Sequence, residues 1–561
     1  SLSRGRVILT STGTLGSAAG GTRIGISGRL TLAGGVTTAE PIYLDDLVNA
    51  FNGALAIDNV GTNTLTGAIR MSDSIRWQSS GTLNVTGGIS TTNGSNGSFM
   101  VMQAGNLMNI TGKPIANGAG QLYMDNAGKT IALGVVGNTY GSHRLYAGTL
   151  QTDLPNVISP IASVDFGVAY AASAATLNLN GNSQVAGGVS SSTFLATAGF
   201  DRVITSPTPA TLTVNQAGNS TFDGRLAGQV SLAKTGVGTL TLTGPSTTSG
   251  GLTVNGGIVN LNFARATASA SGATTVSDYL PNTMPLTLGG GTFQLTGRNN
   301  GTVTSLVGAN WNHLAASNGG SIINVTSTAG LAPGQLISGG SGLPAGAYVV
   351  SILSGTQFVI NANTTASQAA TTISATANSF ITSQTFSGVT LNPGSSSVTV
   401  TIPSGGSDGT VLNLGTINAL PGGTVNFTLP TGTQNATNGI TTSTLNNPAG
   451  ILGGWARIGN HWAINSTNSA GGNLAALAVY TDVNRLGGTI ASSSTANVRI
   501  VEGGSTGSIT PVATGATEIH TLLQNAAGGT ATYDPGTSDV LRLGADGGIL
   551  VASTAGALNI G

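Results

Sequence analysis

Short segments in which apolar and polar residues alternate, each bounded by glycine or asparagine, recur along all 561 residues of this chain. Clear instances are GRLTLAGG at 28–35, ATLNLNGN at 175–182, GTLTLTG at 238–244 and TVLNLGTI at 410–417. A period of two is typical of β-strands with one buried face, and Gly-Gly and Asn-Gly steps supply the positive-φ corners between strands. Because helical periodicity is nearly missing, the sequence predicts an all-β fold.

The spacing of these strands allows three architectures: a β-sandwich, a β-propeller or a parallel β-solenoid. Sandwiches and propellers carry charged residues on their outward faces, but only 6% of this chain is charged, against about 25% in typical soluble domains. The alternate positions are Thr, Ser and Asn instead, which stack well on themselves in a coiled sheet. Repeats that cannot bury their own apolar face must stack on their neighbours. The pattern therefore favours a parallel β-helix.

Charge and cysteine content exclude several classes of function. Eighteen basic and eighteen acidic residues cancel and form no runs, so nucleic-acid binding is excluded as a main role. Cysteine is absent, which excludes disulfides and thiolate metal sites and suits an exported bacterial protein. No apolar run is long enough for a membrane-spanning helix. Because the sequence opens at Ser1 without a leader pattern, we expect a mature or trimmed piece of a secreted or cell-surface protein.

Three segments interrupt the alternating pattern. Residues 40–53 place apolar side chains at helical spacing after Pro41, which predicts a short helix or cap. Residues 320–378 have tight Pro-Gly turns and strands of their own, which predicts a small inserted β-module. Residues 451–480 concentrate large side chains, which predicts a local plug or an aromatic hairpin that projects from the solenoid. The expected organisation is a solenoid over 1–319, the inserted module, and a continuation of the solenoid over 379–561.

One stretch carries a family resemblance. Residues 233–262 read AKTGVGTLTLTGPSTTSGGLTVNGGIVNLN and resemble the autotransporter-associated β-strand repeat, also called the passenger-associated transport repeat. The matching positions are Lys234, Gly236, Gly238, Thr239, Leu240, Leu242, Gly244, Ser249, Gly250, Gly251, Thr253, Val254 and Gly257. The resemblance covers residues 233–480. It implies a right-handed parallel β-helix in an extracellular passenger or surface-fibre protein.

Parallel β-helices also carry polysaccharide lyases and hydrolases, whose sites need two or three carboxylates on adjacent coils. The acidic residues here are scattered. Asp45 and Asp46 are adjacent, and neighbours in a strand or helix point in different directions, so they are not a facing pair. Asp534 and Asp539 flank a Pro-Gly turn, and a structural role is favoured for both. A polysaccharide-degrading enzyme is therefore only a remote alternative, and no catalytic residue is predicted.

The histidines predict no metal or cofactor site. His143 and Arg144, with Tyr146, are interpreted as a lone contact patch, and a metal or catalytic role is disfavoured because no carboxylate or cysteine lies at ligand spacing. His520 is interpreted as a surface or helix-end residue. No cofactor is expected.

Aromatic residues supply the candidate contacts. Trp455, His461 and Trp462 lie in the 451–480 segment, Trp311 precedes the inserted module, and Tyr348 lies within it. Exposed aromatic side chains stack on sugar rings or are buried at protein contacts. Packing of a hairpin against the solenoid is the default interpretation of the tryptophan cluster, and a contact role is the alternative.

Two functions of different classes follow. The first is a structural extracellular protein, a subunit of a bacterial surface fibre, sheath or layer that associates with copies of itself. A charge-poor surface gives little repulsion between copies, and open solenoid ends offer unpaired backbone groups. The second is an adhesin, displayed singly, that binds a surface or a glycan through the inserted module and the aromatic segment.

Overall fold

The structure, a computed structural model, describes residues 2–44, 55–71, 75–91, 99–103, 107–116, 118, 120–167, 174–191, 201–263, 275–298, 301–313, 321–376, 381–403, 409–502, 504–512, 514–536 and 539–561. Every helix-or-strand element in these residues is a β-strand, which confirms the all-β prediction. Contacts divide the chain into two compact units. One comprises 1–267, 279–281 and 300–378, and the other comprises 268–278, 282–299 and 379–561.

Parallel strands build the first 262 residues. The described strands are β1 (Leu2–Leu9), β2 (Thr22–Ala33), β3 (Thr37–Thr38), β4 (Ile42–Leu44), β5 (Leu55–Val60), β6 (Asn63–Leu65), β7 (Ile69–Met71), β8 (Ile75–Ser79), β9 (Thr82–Val85), β10 (Ile89–Thr91), β11 (Phe99–Gln103), β12 (Leu107–Ile110), β13 (Ile115–Ala116), β14 (Gln121–Leu133), β15 (Ser142–Thr152), β16 (Ser163–Phe166), β17 (Ala175–Asn178), β18 (Gln184–Ala186), β19 (Gly188–Ser191), β20 (Arg202–Asn215), β21 (Ser220–Phe222), β22 (Arg225–Thr235), β23 (Thr239–Leu242), β24 (Leu252–Val254) and β25 (Ile258–Asn262). Parallel partners lie 19 residues apart in the shortest turn (Thr239 and Ile258) and 28 in the longest (Gln184 and Leu212), a spacing typical of stacked repeats.

The rest of the chain adds an antiparallel sheet and further parallel ladders. Its described strands are β26 (Thr275–Ser277), β27 (Pro285–Leu288), β28 (Thr292–Thr296), β29 (Ser305–Trp311), β30 (Ile322–Asn324), β31 (Leu336–Ser338), β32 (Val349–Ser354), β33 (Gln357–Ile360), β34 (Gln368–Thr376), β35 (Ile381–Thr385), β36 (Gly388–Leu391), β37 (Gly394–Thr401), β38 (Thr410–Asn413), β39 (Thr416–Ala419), β40 (Gly423–Thr428), β41 (Gly439–Thr442), β42 (Ala456–Ile458), β43 (His461–Asn465), β44 (Gly472–Ala476), β45 (Thr481–Asn484), β46 (Thr489–Ile490), β47 (Ser493–Val501), β48 (Gly507–Pro511), β49 (Ala516–Gln524), β50 (Ala531–Tyr533), β51 (Val540–Val551) and β52 (Leu558–Ile560).

Inward-pointing aliphatic side chains stack from strand to strand. Val85 pairs with Ile110, and Ile110 pairs with Leu133 on the following strand. All three side chains are buried. Because alternate residues of a strand point to one face, the period of two in the sequence places a continuous apolar stack on the inside. Complete burial of one such side chain contributes about 1.5–3 kcal/mol.

Buried amide side chains satisfy the backbone where the strands turn. The Gln184 side-chain oxygen accepts hydrogen bonds from the backbone N–H of Val157 at 2.9 Å and of Ile158 at 3.1 Å. Its side-chain nitrogen donates to the Leu154 carbonyl at 2.9 Å. These corner groups have no ladder partner of their own, so a buried polar side chain is needed to avoid the cost of leaving them unpaired.

The segment predicted as a helix or cap at 40–53 begins as a strand. Ile42 and Leu44 are buried, Tyr43 between them points outward, and β4 pairs in parallel with β2 and β7. The period of two and the strand partners on both sides override the local helical spacing after Pro41. Residues 45–53 lie outside the described residues.

An antiparallel sheet interrupts the parallel ladders where the inserted module was expected, at 320–378. The sheet begins earlier than predicted, because it also includes β29. Its six strands have the order β31, β34, β29, β30, β33, β32. The two end strands are joined, because Leu336 of β31 forms a bridge with Tyr348 just before β32, and Val349 donates to the Gln335 carbonyl at 3.0 Å. The sheet encloses its own apolar core, which includes Trp311 and Phe358. These backbone bonds close the sheet into a small barrel.

The second unit has parallel ladders of the same kind. Phe293 of β28 pairs with Val398 of β37, although the antiparallel sheet lies between them in sequence. Near the end of the chain, β45, β47, β49 and β51 form one parallel sheet, and β46, β48, β50 and β52 form another. Ile500, Leu522 and Tyr533 are part of the core of these sheets. Among the described residues, no helix has the length and apolar character that a membrane span requires.

Candidate functional site

The aromatic segment of residues 451–480 forms a hairpin in the second unit. Strands β42 and β43 pair antiparallel, with Arg457 opposite Trp462 and Ile458 opposite His461. Gly459 in the connecting turn has φ of 57°, a conformation that favours glycine. β43 then pairs antiparallel with β44. The hairpin brings together the predicted contact residues Trp455, His461 and Trp462.

The two tryptophans of this hairpin have different environments. Trp462 is 3% exposed, and its ring lies against Gly548 of β51, where a Cβ atom would be 3.1 Å from the ring. Trp455 is half-buried, and its indole lies beside Gly453. Trp462 therefore packs inside the unit, as the default interpretation of the cluster expects, while part of Trp455 reaches solvent.

A polar group extends the aromatic surface beyond the hairpin. The ring of His461 lies 6.0 Å from that of Tyr480, and the Arg499 guanidinium lies 4.9 Å from the centre of the Tyr480 ring. Arg499 donates two hydrogen bonds to Asp482, at 2.8 and 2.7 Å. The Tyr480 hydroxyl accepts a hydrogen bond from the Trp462 backbone N–H at 3.2 Å. We call His461, Tyr480, Asp482 and Arg499 the Tyr480 cluster.

Burial and the arginine set the charges in the Tyr480 cluster. Burial raises the pKa of Tyr480, and burial together with the charge of Arg499 lowers the pKa of His461. The hydrogen bonds from Arg499 lower the pKa of Asp482. At neutral pH the cluster therefore presents a neutral imidazole, a neutral phenol and a closed ion pair. It offers ring faces for contact, and its one carboxylate is already paired.

Two predicted contact residues belong to the barrel in the first unit. Trp311 is 1% exposed, and its indole N–H donates to the Ala366 carbonyl at 2.9 Å. Its ring is part of the barrel core, so it is not exposed for contact with a partner. Tyr348 is half-buried at the bridge that closes the barrel, so part of its ring is accessible.

The other polar residues singled out from the sequence have structural partners. Asp534 accepts a hydrogen bond from the Gly536 N–H at 3.0 Å, and Asp539 accepts one from the Gly515 N–H, so both carboxylates bond to backbone in or next to turns. Asp45 and Asp46 lie outside the described residues. Within the described ranges, no group of three or more histidine or acidic side chains is placed to hold a metal ion.

His520 is buried rather than at a surface or a helix end. It lies in β49, its Nε2 is 3.3 Å from the Asp546 carboxylate, and the Asn447 side-chain nitrogen contacts both, at 2.9 and 2.7 Å. The three residues come from well-separated segments of the chain. Sequence spacing gives no signal of this contact, and the same is true of Arg499 and Asp482 in the Tyr480 cluster.

Comparisons with known proteins give no assignment. No family model matches the chain, and no curated protein or solved structure shows significant similarity to it. Its function is therefore inferred from its own residues.

Proposed function

We propose that this chain is a structural subunit of an extracellular bacterial surface fibre, sheath or layer, built as a right-handed parallel β-solenoid that associates with copies of itself. The proposal assigns it no catalytic role. Parallel pairing at a spacing of about twenty residues supports a solenoid, because stacked repeats of this length bury a face that no single repeat can bury.

The glycines and the lysine of the 233–262 stretch support its membership of the autotransporter-associated repeat. A Cβ atom on Gly238 would lie 2.0 Å from the Gly218 carbonyl oxygen, and one on Gly250 would lie 2.0 Å from the Val230 carbonyl oxygen. Both glycines therefore allow one turn of chain to lie directly on the preceding turn. The buried Lys234 ammonium donates to the Thr235 and Gly236 carbonyls at the neighbouring corner.

The observation that carries the proposed self-association is the strand β51, whose second side pairs with no described strand and is open to a further one. It has twelve residues and, among the described strands, pairs only with β49. Its exposed side chains include Val540 at 53%, Ile549 at 44% and Val551 at 45%. A long edge strand with exposed apolar residues is a template for pairing with another chain, and monomeric proteins usually interrupt such an edge with charged residues, proline or bulges. β51 contains no lysine or proline. Its interruptions are the exposed Arg542 and a bulge between Leu543 and Gly548, where the Asp546 carbonyl accepts a hydrogen bond from the Gly454 N–H at 2.6 Å.

The uncharged outward face of the parallel ladders also supports association between copies. Thr292, Ser397 and Asn426 lie opposite one another on β28, β37 and β40, all half-buried on the outward face. An uncharged face of hydroxyl and amide groups gives little electrostatic repulsion between copies, since net charge is what keeps proteins apart.

A second candidate, a singly displayed adhesin, is favoured by the half-exposed rings of Trp455, His461 and Tyr480. Aromatic rings at a surface are enriched in binding sites for sugars and proteins. In this case the hairpin would bind a partner while the chain itself stays monomeric.

Sedimentation and electron microscopy of the purified chain at increasing concentration separate these candidates. We expect filaments or concentration-dependent oligomers, and we expect V540K with V551K to abolish them, because two edge lysines block strand pairing. V237K is the matched control, since Val237 is 81% exposed and lies outside the edge strands. A monomer at every concentration would contradict the proposal and favour the adhesin.

A further inference from the structure

Strand β1 of the first unit has one open side, as β51 of the second unit does. β1 pairs in parallel with β2 from Leu2 to Leu9, and with no other described strand. Because β2 follows β1 in the chain, the open side of β1 is the one that faces a preceding turn in a parallel ladder. β51 follows its partner β49, so its open side is the one that faces a following turn. Consecutive turns of a solenoid meet through these two kinds of side.

The inward face of β1 is only partly covered. Val7 lies opposite Leu30 of β2, and Leu30 lies opposite Ile57 of β5. Leu30 and Ile57 are at most 1% exposed, whereas Val7 is 37% exposed. Opposite residues of neighbouring strands point to the same face. Val7 therefore occupies a core position that is covered on one side only.

Ile549 is the corresponding residue on the open side of β51. It lies opposite Leu522 of β49, and Leu522 lies opposite Val498 of β47. Leu522 and Val498 are buried in the core of this sheet, whereas Ile549 is 44% exposed. Burial of apolar surface is favourable, so each open side is stabilised by a strand that brings an apolar side chain over its half-covered residue.

We propose that β51 of one copy pairs in parallel with β1 of a second copy, with Gly548–Val551 opposite Arg6–Leu9 and Ile549 opposite Val7. The stack of Val498, Leu522 and Ile549 would then continue into the second copy. The inference deepens the proposed function and rests on it, because the two open sides are complementary only if both units coil with the same hand.

Two glycines favour this register over its neighbours. If the strands slid by two residues in one direction, Val7 would lie opposite Gly547, and in the other direction Ile549 would lie opposite Gly5. A slide of one residue would set an inward side chain against an outward one. Of these registers, the one with Ile549 opposite Val7 gives each half-covered residue an apolar neighbour.

A second copy of β51 is the other possible occupant of the open side. Two copies of one edge pair about a two-fold axis, so their strands are antiparallel or their inward faces point to opposite sides. Such a dimer leaves Val7 of both copies half-covered. Pairing with β1 covers Val7 and Ile549 together and continues the parallel ladder, so β1 is the occupant that the burial pattern favours.

The charges beside the proposed contact are complementary. Arg4 is two residues before Arg6, Asp546 is two residues before Gly548, and both Arg4 and Asp546 are exposed. The register therefore brings an arginine of one copy towards a carboxylate of the other. Opposite charges across an interface speed the encounter and disfavour wrong partners.

Two blocking variants of the full chain, each alone and then mixed, test this pairing by sedimentation velocity. V7K and I549K each place an inward-pointing charge on one open edge, and each should raise the concentration needed for assembly at least tenfold. An equimolar mixture should form a dimer of one copy of each, because each variant supplies the edge that the other lacks. V237K is the control and should assemble as the original chain does, since Val237 lies outside the edge strands.

The outcomes separate this inference from the proposed function. An original chain that stays monomeric at every concentration contradicts both. If the original chain assembles and V7K assembles equally well, self-association stands and β1 is not the partner.

Cross-linking gives a second readout that leaves both edges apolar. The chain has no cysteine, so V7C and I549C each introduce a single thiol. A short bifunctional thiol reagent should join V7C to I549C in a mixture, but should join neither variant to itself, and a mixture of V237C with I549C is the control. Cross-linked dimers of I549C alone, or no cross-link between V7C and I549C under conditions in which the chain assembles, would overturn the pairing.

Discussion

The side-chain nitrogen of Asn138 donates a hydrogen bond to the backbone carbonyl of Val157 at 2.7 Å. The same nitrogen donates to the Val135 carbonyl at 2.7 Å, and the side-chain oxygen accepts from the Ile115 N–H at 2.8 Å. One buried amide thus joins three segments that are far apart in sequence and stacked in space.

Replacing this amide should destabilise the first unit. N138L leaves one buried N–H and two buried carbonyls without partners, and we expect the free energy of unfolding to fall by about 2–4 kcal/mol. Urea denaturation of the full chain, followed by circular dichroism, measures the change. N215L is the control, because Asn215 is exposed at the end of β20. An equal loss in both variants would show that the hydrogen bonds of Asn138 are not the cause.

Lys234 should act through its ammonium group rather than its carbon chain. K234M keeps a similar apolar length but removes the donor to the Thr235 and Gly236 carbonyls. We expect a loss of about 1–3 kcal/mol from the unpaired carbonyls, measured by the shift of the urea midpoint. If K234M is as stable as the original chain, the role assigned to the lysine is wrong.

Acid should destabilise the chain through His143. Its ring is buried against Tyr140, with 4.4 Å between ring centres, and burial lowers its pKa to about 3 from 6.5. The folded chain therefore keeps the ring neutral while the unfolded chain takes up a proton below pH 6.5. Stability should be complete above pH 6.5 and decline between pH 6.5 and 3 by up to about 1.4 kcal/mol per pH unit.

Denaturation of the original chain and of H143L over this pH range isolates the contribution of His143. The difference in free energy of unfolding between the two proteins should change as the pH falls from 6.5. A constant difference would contradict a buried neutral histidine.

The charge of Arg499 should hold down the pKa of His461. R499Q removes that charge but leaves the burial of the ring, so we expect the His461 pKa to rise towards its ordinary value without reaching it. The ring proton signals of the four histidines followed by NMR titration measure this. An unchanged His461 pKa in R499Q would show that the charge of Arg499 does not act on His461.

The sequence pattern predicts strands and their inward residues better than it predicts which strands meet. Leu240 and Leu242 alternate with threonine in the sequence and are buried in β23, because a period of two follows from local geometry. Arg144 and Asp165 lie opposite each other only because the turn of chain that joins them is 21 residues long. Turn lengths vary along the chain, so the register of one turn on the next cannot be read from spacing alone.

In the candidate site, too, local features follow from the sequence and long-range contacts do not. Clustering of large side chains in sequence is enough to predict the hairpin that holds Trp455 and His461. Arg499 joins that hairpin through strand pairing with Asp482, which no local pattern encodes. The burial of Trp311 depends on closure of the barrel by Leu336 and Tyr348, a long-range contact that propensity does not predict.

Electron cryo-microscopy of the chain at high concentration tests the central claim, that parallel turns of one copy continue onto those of the next. We expect filaments in which strands about 4.8 Å apart stack along the filament axis. Single particles of 55.0 kDa, or filaments whose strands run along the axis, would contradict it.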